Sequence, residues 1–495
     1  MGHYLMPVDY QFKKGIDLPS WQWLSFFPPG PSYHGSASTY DGTRYLYWAV
    51  QYSTTAGPTT AGTSVLYRYD TWNNGWQYLV TLTSGNGGMD IEYDSTRNVV
   101  YIINGNASTA WQAFNLNTTN VVINNQTITP WSLATISVVL PATASYGASL
   151  TMPDDAALPT QIDSGTADST GNTTTVVKAT TATGTFGAGM IGLQMRVTSG
   201  AQNGAVRTIS AVTDKNTLTL GWALSGALAS GDTFVIEPVQ MTASAGAVNS
   251  ITAPVGTTFI TNQYANQDVM IVSGTGAGQR RRIASNTATV LTLAAAVTGN
   301  ARTGNFATTP DTSSVFKIVP SNDFLYYQPG NGSTALYRVD VSTGANAIVW
   351  SAALAASPAG IGPGSNTFFP TAYAPGYLMA LRGAGTATVY LYNIGTNAWT
   401  TITTYAGSEN FTTGANACML HGKRKMFVQK EGQTRCYTFD LLTGILEPAG
   451  VMPYANPGSY DGKRARFVKT PDGVEWIYIL RAGGQEFYRV PAEWM

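Results

Sequence analysis

One short pattern keeps returning in this chain: an aromatic-rich strand that in most copies ends at or beside Asp or Asn. The copies are VLYRYD (65–70), AWQAFNL (110–116), ALYRVDV (335–341), VYLYNIG (389–395), RCYTFDL (435–441) and EFYRVPA (486–492). After a short polar turn, five of them lead into a second strand pattern. These are WQYLVTL (76–82), WSLATIS (131–137), AIVWSAA (347–353), WTTITTY (399–405) and ILEPAGV (445–451). The sixth has no follower before Met495, while a matching strand, WQWLSFF (21–27), stands unclaimed near the N-terminus. Repeated units of this kind cannot bury their apolar faces alone and must stack on their neighbours.

The segment before each pattern repeats as well. SASTYDGTRYLYWAV (36–50) matches NPGSYDGKRARFVK (456–469), with looser copies at 89–103, 371–381 and 417–429. In each, an apolar strand meets a short turn and reverses. Asp41-Gly42 and Asp461-Gly462 suit type I′ hairpins, which need positive φ at both central residues. Four strands per unit and six units predict an all-β fold, a six-bladed β-propeller. Its last blade is expected to be completed by the N-terminal strand, so that both chain ends are tied into one ring.

The third unit is interrupted. Its first strand, SYGASLTMP (145–153), is followed by Asp154-Asp155, and its second, NDFLYYQ (322–328), comes only after a long insertion. An insertion at a hairpin tip leaves the host ladder intact. Within it, MRVTSGAQNGAVRTISAVTDKNTLTL (195–220) aligns with VMIVSGTGAGQRRRIASNTATVLTL (269–293), and each copy closes on a strand, FVIEP (234–238) or VFKIVP (315–320). The expected organisation is therefore 1–153, a first propeller part, then β-modules of barrel or sandwich type at 160–240 and 241–320, then 322–495, the rest of the propeller. Each module is rich in Thr and short of large apolar residues, so its core is thin and docking on a neighbour is expected.

Charge is scarce. Only 11% of residues are Asp, Glu, Lys or Arg, against about 25% in ordinary soluble domains, and 27 basic residues balance 27 acidic ones. Duplex binding needs a basic stripe. The run Arg280-Arg281-Arg282 would point its members to alternate faces of a strand, so no nucleic-acid partner is expected. Zero net charge favours association. No stretch approaches the ~18 apolar residues of a membrane helix, and the first residues lack the apolar run of a signal peptide.

The outer repeat resembles the kelch family over roughly 1–153 and 322–495. The double glycine of that family is clear only at Gly87-Gly88, and its aromatic before the fourth strand persists at Trp76, Trp131 and Trp399. The inserted pair, with SGAQNGAVRTI (199–209) and SGTGAGQRRRI (273–283), looks like a small β-module of bacteriophage tail-fibre and other virion proteins. The whole is similar to nozzle-type tail proteins of short-tailed phages. Copper radical oxidases among the kelch relatives need two histidines, two tyrosines and a thioether-forming cysteine. Here Cys418 and Cys436 fall on alternate strands of one unit, nearly 10 Å apart and beyond disulfide reach, without a neighbouring histidine pair.

No residue is singled out as catalytic, cofactor-binding or metal-binding. His3 lies near the terminus, His34 in a loop before the first unit, and His421 at a turn position matching Asp41 and Asp461. Asp90, Glu92, Asp94, Asp154 and Asp155 could supply a glycosidase pair, but most sit where turns favour Asp. GTGAGQ (274–279) lacks the Lys-Ser/Thr and the helix of a phosphate loop. Trp21, Trp23, Tyr45, Tyr47 and Trp48 suit sugar stacking or an interface, but in strands such residues are more often core between packed blades.

The expectation is a non-enzymatic structural component of a tailed-phage virion, at the nozzle, tail tip or fibre attachment. It is made in the host cytoplasm, needs no cofactor, and assembles with itself and other virion proteins. The alternatives are a receptor- or glycan-binding phage protein that contacts a host-surface glycan, and an enzyme acting on polysaccharide. Deleting 160–320 is expected to leave a folded ring that fails to assemble.

Overall fold

The computed structural model describes residues 22–26, 36–52, 63–83, 87–153, 158–181, 185–342, 348–370, 373–404, 415–420, 425–430, 432–441, 446–454, 465–470, 473–481 and 484–492. The protein is all-β. Apart from one 3-10 turn at Ala188–Met190, every regular element among the described residues is a strand.

Six antiparallel sheets share one plan, in which the strands meander outward from a first, inner strand; five of them have four strands and sheet 3 has three. The inner strands are Ala37–Tyr40 (sheet 1), Asp90–Asp94 (sheet 2), Ser149–Thr151 (sheet 3), Asn366–Phe368 (sheet 4), Asn416–Met419 (sheet 5) and Ala465–Lys469 (sheet 6). Each touches the next, and the sixth touches the first, so the contacts close a cycle. The outermost strand of sheet 6 is the N-terminal Gln22–Phe26, which pairs with Glu486–Pro491 and sets Gln22 opposite Arg489.

Alternation along the strands explains how one sheet serves two neighbours. In Tyr45–Tyr52 the side chains of Leu46, Trp48 and Val50 pack with Val468, Tyr478 and Phe487 of sheet 6. The intervening Tyr47 and Ala49 pack with Ile91, Val100 and Phe114 of sheet 2. The same division recurs between sheets 2 and 3, 3 and 4, 4 and 5, and 5 and 6. The second strand of sheets 2, 3, 4 and 5 is buried on both faces, which is why these strands read as near-continuous apolar runs.

The Asp or Asn that ends the repeated strand has a local task. Asp70 Oδ1 accepts from the N–H groups of Trp72 and Asn73 at 3.0 and 3.2 Å, and Asn393 Oδ1 from those of Gly395 and Thr396 at 2.9 Å. Asn115 and Asp340 do the same for Asn117 and Ser342. A side-chain oxygen thus satisfies backbone donors that the reversing chain leaves unpaired.

Two local expectations need correction, and one feature was not expected. The turn at Asp41 is not a two-residue type I′ turn: only Gly42 has positive φ, and Asp41 Oδ1 accepts from the N–H groups of Thr43, Arg44 and Tyr45 across a four-residue loop. Asp461 and Gly462 lie outside the described residues. Of the segment expected as the fourth strand of sheet 3, the described residues 348–353 form no strand; a single bridge joins Trp350 to Val339, and its indole packs on Trp111 and Tyr327. Sheet 2 carries an unforeseen hairpin, Val121–Ile123 with Gln126–Ile128, turning at Asn124 and Asn125, both at positive φ.

The insertion forms two further sheets. Module 1 has six strands between Asp163 and Glu237, and a bridge between Ala167 and Ala179 joins its edge strands so that the sheet curls on itself. Module 2 has seven strands between Gln240 and Val319. The aligned segments occupy equivalent strands, Gln194–Val197, Val206–Asp214 and Thr217–Leu220 against Asp268–Ser273, Arg280–Asn286 and Val290–Leu293. Gly200 and Gly274 hold the same left-handed position, and a Cβ on either would lie 2.0 Å from a neighbouring oxygen. The glycine-rich motif is a tight turn.

Candidate functional site

The six inner strands converge on a cavity of about 110 Å³ to which every sheet contributes, through Tyr40, Glu92, Thr151, Phe368, Cys418 and Arg466. Arg466 spans it, donating to the Ser38 carbonyl at 2.6 Å and to Glu92 at 3.4 Å. Polar side chains also stitch neighbouring inner strands. Thr39 accepts from the Tyr93 N–H, Asp90 from the Leu150 N–H at 2.7 Å, and Asn416 from the Ala465 N–H at 2.8 Å. Ser149 and Thr367 share a 2.5 Å hydrogen bond. With Arg466, at least five of the six seams carry such a bond among the described residues.

This arrangement separates the carboxylates that sequence alone offers as a glycosidase pair. Asp90 is buried and bound to the backbone of sheet 3. Glu92 faces Arg466. Asp94 caps its own turn through the N–H groups of Thr96 and Arg97 and pairs with the Arg97 guanidinium. Asp154, Asp155, His3, His34 and His421 lie outside the described residues. Cys418 and Cys436 are free and buried; burial pushes the Cys418 thiol up to about 12 and raises that of Cys436 as well, so both stay protonated at neutral pH. Among the described residues no group of three His, Cys, Asp or Glu could hold a metal, and no helix is long and apolar enough to cross a membrane.

The densest set of charges lies where module 2 meets sheets 2 and 3. Arg282 donates to Asp323 at 2.5 Å and also to Asp340. Arg97 bridges Asp94 at 2.6 Å and Asp323 at 3.3 Å, while Arg280 meets Asp268 at 2.7 Å. Arg302 reaches both Asp268 and Asp323 at 3.5 Å. Burial raises the Asp323 carboxyl, but Arg302, Arg282 and Arg97 outweigh it and hold it below its ordinary value. At Asp268 burial prevails over Arg280 and Arg302, and the carboxyl is raised. The Arg280–Arg282 run is thus divided: 280 and 282 enter the network, and Arg281 bonds to the carbonyls of Asn305 and Ala301. Sequence reasoning missed this network because its partners come from three separate stretches of chain.

Module 1 docks on sheet 4 through apolar and polar contacts. Phe186, Met190 and Leu193 share one core with Tyr373, Tyr377 and Met379. Tyr377 donates to the Ile191 carbonyl at 3.2 Å, and Gln263 of module 2 donates to that same carbonyl and accepts from Asn393. The insertion is therefore packed onto the ring, and its removal would uncover Tyr373 and Tyr377 and leave Asp323 without Arg282.

The aromatic candidates part company. Tyr47 and Trp48 are core residues, Tyr45 is half-buried, Trp23 is exposed, and Trp21 lies outside the described residues. Trp76 packs on Tyr69 at 4.9 Å and Trp399 on Tyr392 at 5.1 Å. Trp131 differs from both: it is 44% exposed and has φ of +53°.

No protein-family model and no curated protein matches the chain. Among solved structures, "Structure of YjhT" aligns at 18% identity and a TM-score of 0.23, covering 35% of this chain and 64% of that one. The chain thus spans less than two thirds of that structure's length. "Crystal Structure of Mitotic Checkpoint Complex" aligns at 7% identity and a TM-score of 0.35, covering 99% of each chain. Both likenesses are too distant to assign a family or a function.

Proposed function

We propose that the chain is a six-bladed, kelch-like β-propeller carrying two inserted β-modules, and that it serves as a non-enzymatic structural component of a tailed-phage virion, in the nozzle, tail tip or fibre attachment. The propeller reading is supported by the cyclic contact of six inner strands and by the N-terminal strand that completes the sixth sheet. The structural role rests above all on how the chain spends its few charges. Arg97, Arg280, Arg282, Arg302, Asp94, Asp268, Asp323 and Asp340 form one network between insert and ring. Buried networks of this kind favour one relative geometry over others, as a rigid platform requires. The carboxylates at the central cavity are engaged, Glu92 by Arg466 and Asp41 by its own turn, which favours a scaffold over a hydrolase.

Assembly is expected to use repeated patches around a symmetry axis. Light scattering of the purified protein over a concentration series, with negative-stain images, tests this. A defined ring or closed oligomer is the expected result; a monomer at every concentration would contradict self-assembly.

A further inference from the structure

Five side chains on the outer part of sheets 1 and 2 alternate between ring and guanidinium. The Arg44 guanidinium lies 4.7 Å from the Trp72 ring centre and 5.1 Å from that of Tyr45. The Arg68 guanidinium lies 4.5 Å from Tyr45 and 5.1 Å from Trp131. Trp72, Arg44, Tyr45, Arg68 and Trp131 thus form one row across two sheets, with an exposed indole at either end, Trp72 at 55% and Trp131 at 44%.

The two guanidiniums differ in charge balance. Arg44 is held by Asp70 through two bonds of 2.9 and 2.5 Å. Arg68 donates its Nε to the neutral Gln77 side chain at 2.7 Å and pairs with no carboxylate among the described residues. Trp131 adopts a left-handed backbone conformation, which bulky residues seldom do. Strained residues of this kind cluster at ligand-binding sites. Hydrogen bonds between Thr129 and Ser132, and from the Asn115 N–H to the Ser132 carbonyl, fix the turn that carries it.

We propose that this row is a binding site for an acidic saccharide. The exposed indole faces would stack on the C–H faces of sugar rings, and Arg68 would take a carboxylate or sulfate in a charge-assisted, bidentate contact. A protein partner would favour a desolvated apolar pocket, and single-stranded nucleic acid a continuous basic groove; the row is open, and only one of its cations lacks a balancing carboxylate. The inference is independent of the virion role proposed above.

The test is an array of neutral, uronate-, sialate- and sulfate-bearing oligosaccharides, followed by calorimetric titration of the best binder. Saturable binding to acidic members is expected, weakened at least tenfold by Arg68→Gln and by Trp131→Gly, and unchanged by Arg435→Gln on sheet 5. Trp131→Gly also relieves the left-handed backbone. It should therefore keep or raise the melting temperature while losing the ligand, whereas a merely structural latch would lose stability. The proposal is overturned if no acidic saccharide binds, if neutral ones bind equally well, if binding survives both substitutions, if both variants lose stability along with binding, or if single-stranded DNA or a protein competes as the tighter ligand.

Discussion

Arg282 of module 2 and Asp323, one residue before the second strand of sheet 3, meet at 2.5 Å with both side chains almost wholly buried. The same guanidinium lies 4.3 Å from the Phe324 ring centre. Removing one partner of a buried pair leaves the other charge uncompensated, which typically costs about 3–5 kcal/mol. Arg282→Met should lower unfolding stability by that amount in urea titration. Arg281→Met removes bonds to three carbonyls and leaves no charge unpaired, so it should lower stability by clearly less than Arg282→Met.

Asp323 sets an acid limit on the same junction. Its folded carboxyl is held below the ordinary value of 3.8, so its contribution is fully present above that value and is lost as pH falls through the lower folded one. Asp268, with a raised carboxyl, acts in the opposite sense, so the readout is the difference between two proteins. Stability of wild type minus that of Asp323→Asn should be constant from pH 7 to about 4 and shrink below it. A difference that grows with acid would contradict the assignment.

Asp90 joins two sheets by accepting the buried Leu150 N–H. Asp90→Ala leaves that donor unpaired, at a cost of about 1–3 kcal/mol. Asp90→Asn keeps an acceptor and should recover part of the loss, as measured by thermal unfolding.

At Gly87-Gly88 the two glycines face different neighbours. A Cβ on Gly87 would lie 2.2 Å from the Tyr146 ring, which can swing away, since Tyr146 is 39% exposed. A Cβ on Gly88 would lie 2.1 Å from the Ser145 carbonyl oxygen, and its φ is +87°. Gly88→Ala should therefore be the more damaging, by at least about 1 kcal/mol, in paired denaturation curves.

Much of this architecture was legible because it is local or periodic. The aromatic strands ending at Asp70, Asn115, Asp340 and Asn393 mark turns that those side chains cap, and the copies at 195–220 and 269–293 occupy matching strands. The Asn124-Asn125 hairpin had a signal too, since two adjacent Asn between apolar strands suit positive φ. Other features had none. Asp41 was read for its backbone, but its side chain shapes the turn. The meetings of Arg282 with Asp323 and of Trp131 with Arg68 join residues far apart in the chain. No pattern within one segment encodes such contacts.

Ring closure within a single chain is tested most directly by a cross-link across the last sheet. Gln22 and Arg489 are paired residues on the N- and C-terminal strands, and their side chains hydrogen-bond at 2.9 Å. Directly opposed strand residues have Cα atoms about 4.5–5.5 Å apart, within disulfide range. Gln22→Cys with Arg489→Cys should oxidise to an intramolecular disulfide, giving a circular chain seen as one linked peptide by mass spectrometry. Absence of the bond under oxidising conditions, or a bond formed only between two chains, would contradict a ring that each chain closes for itself.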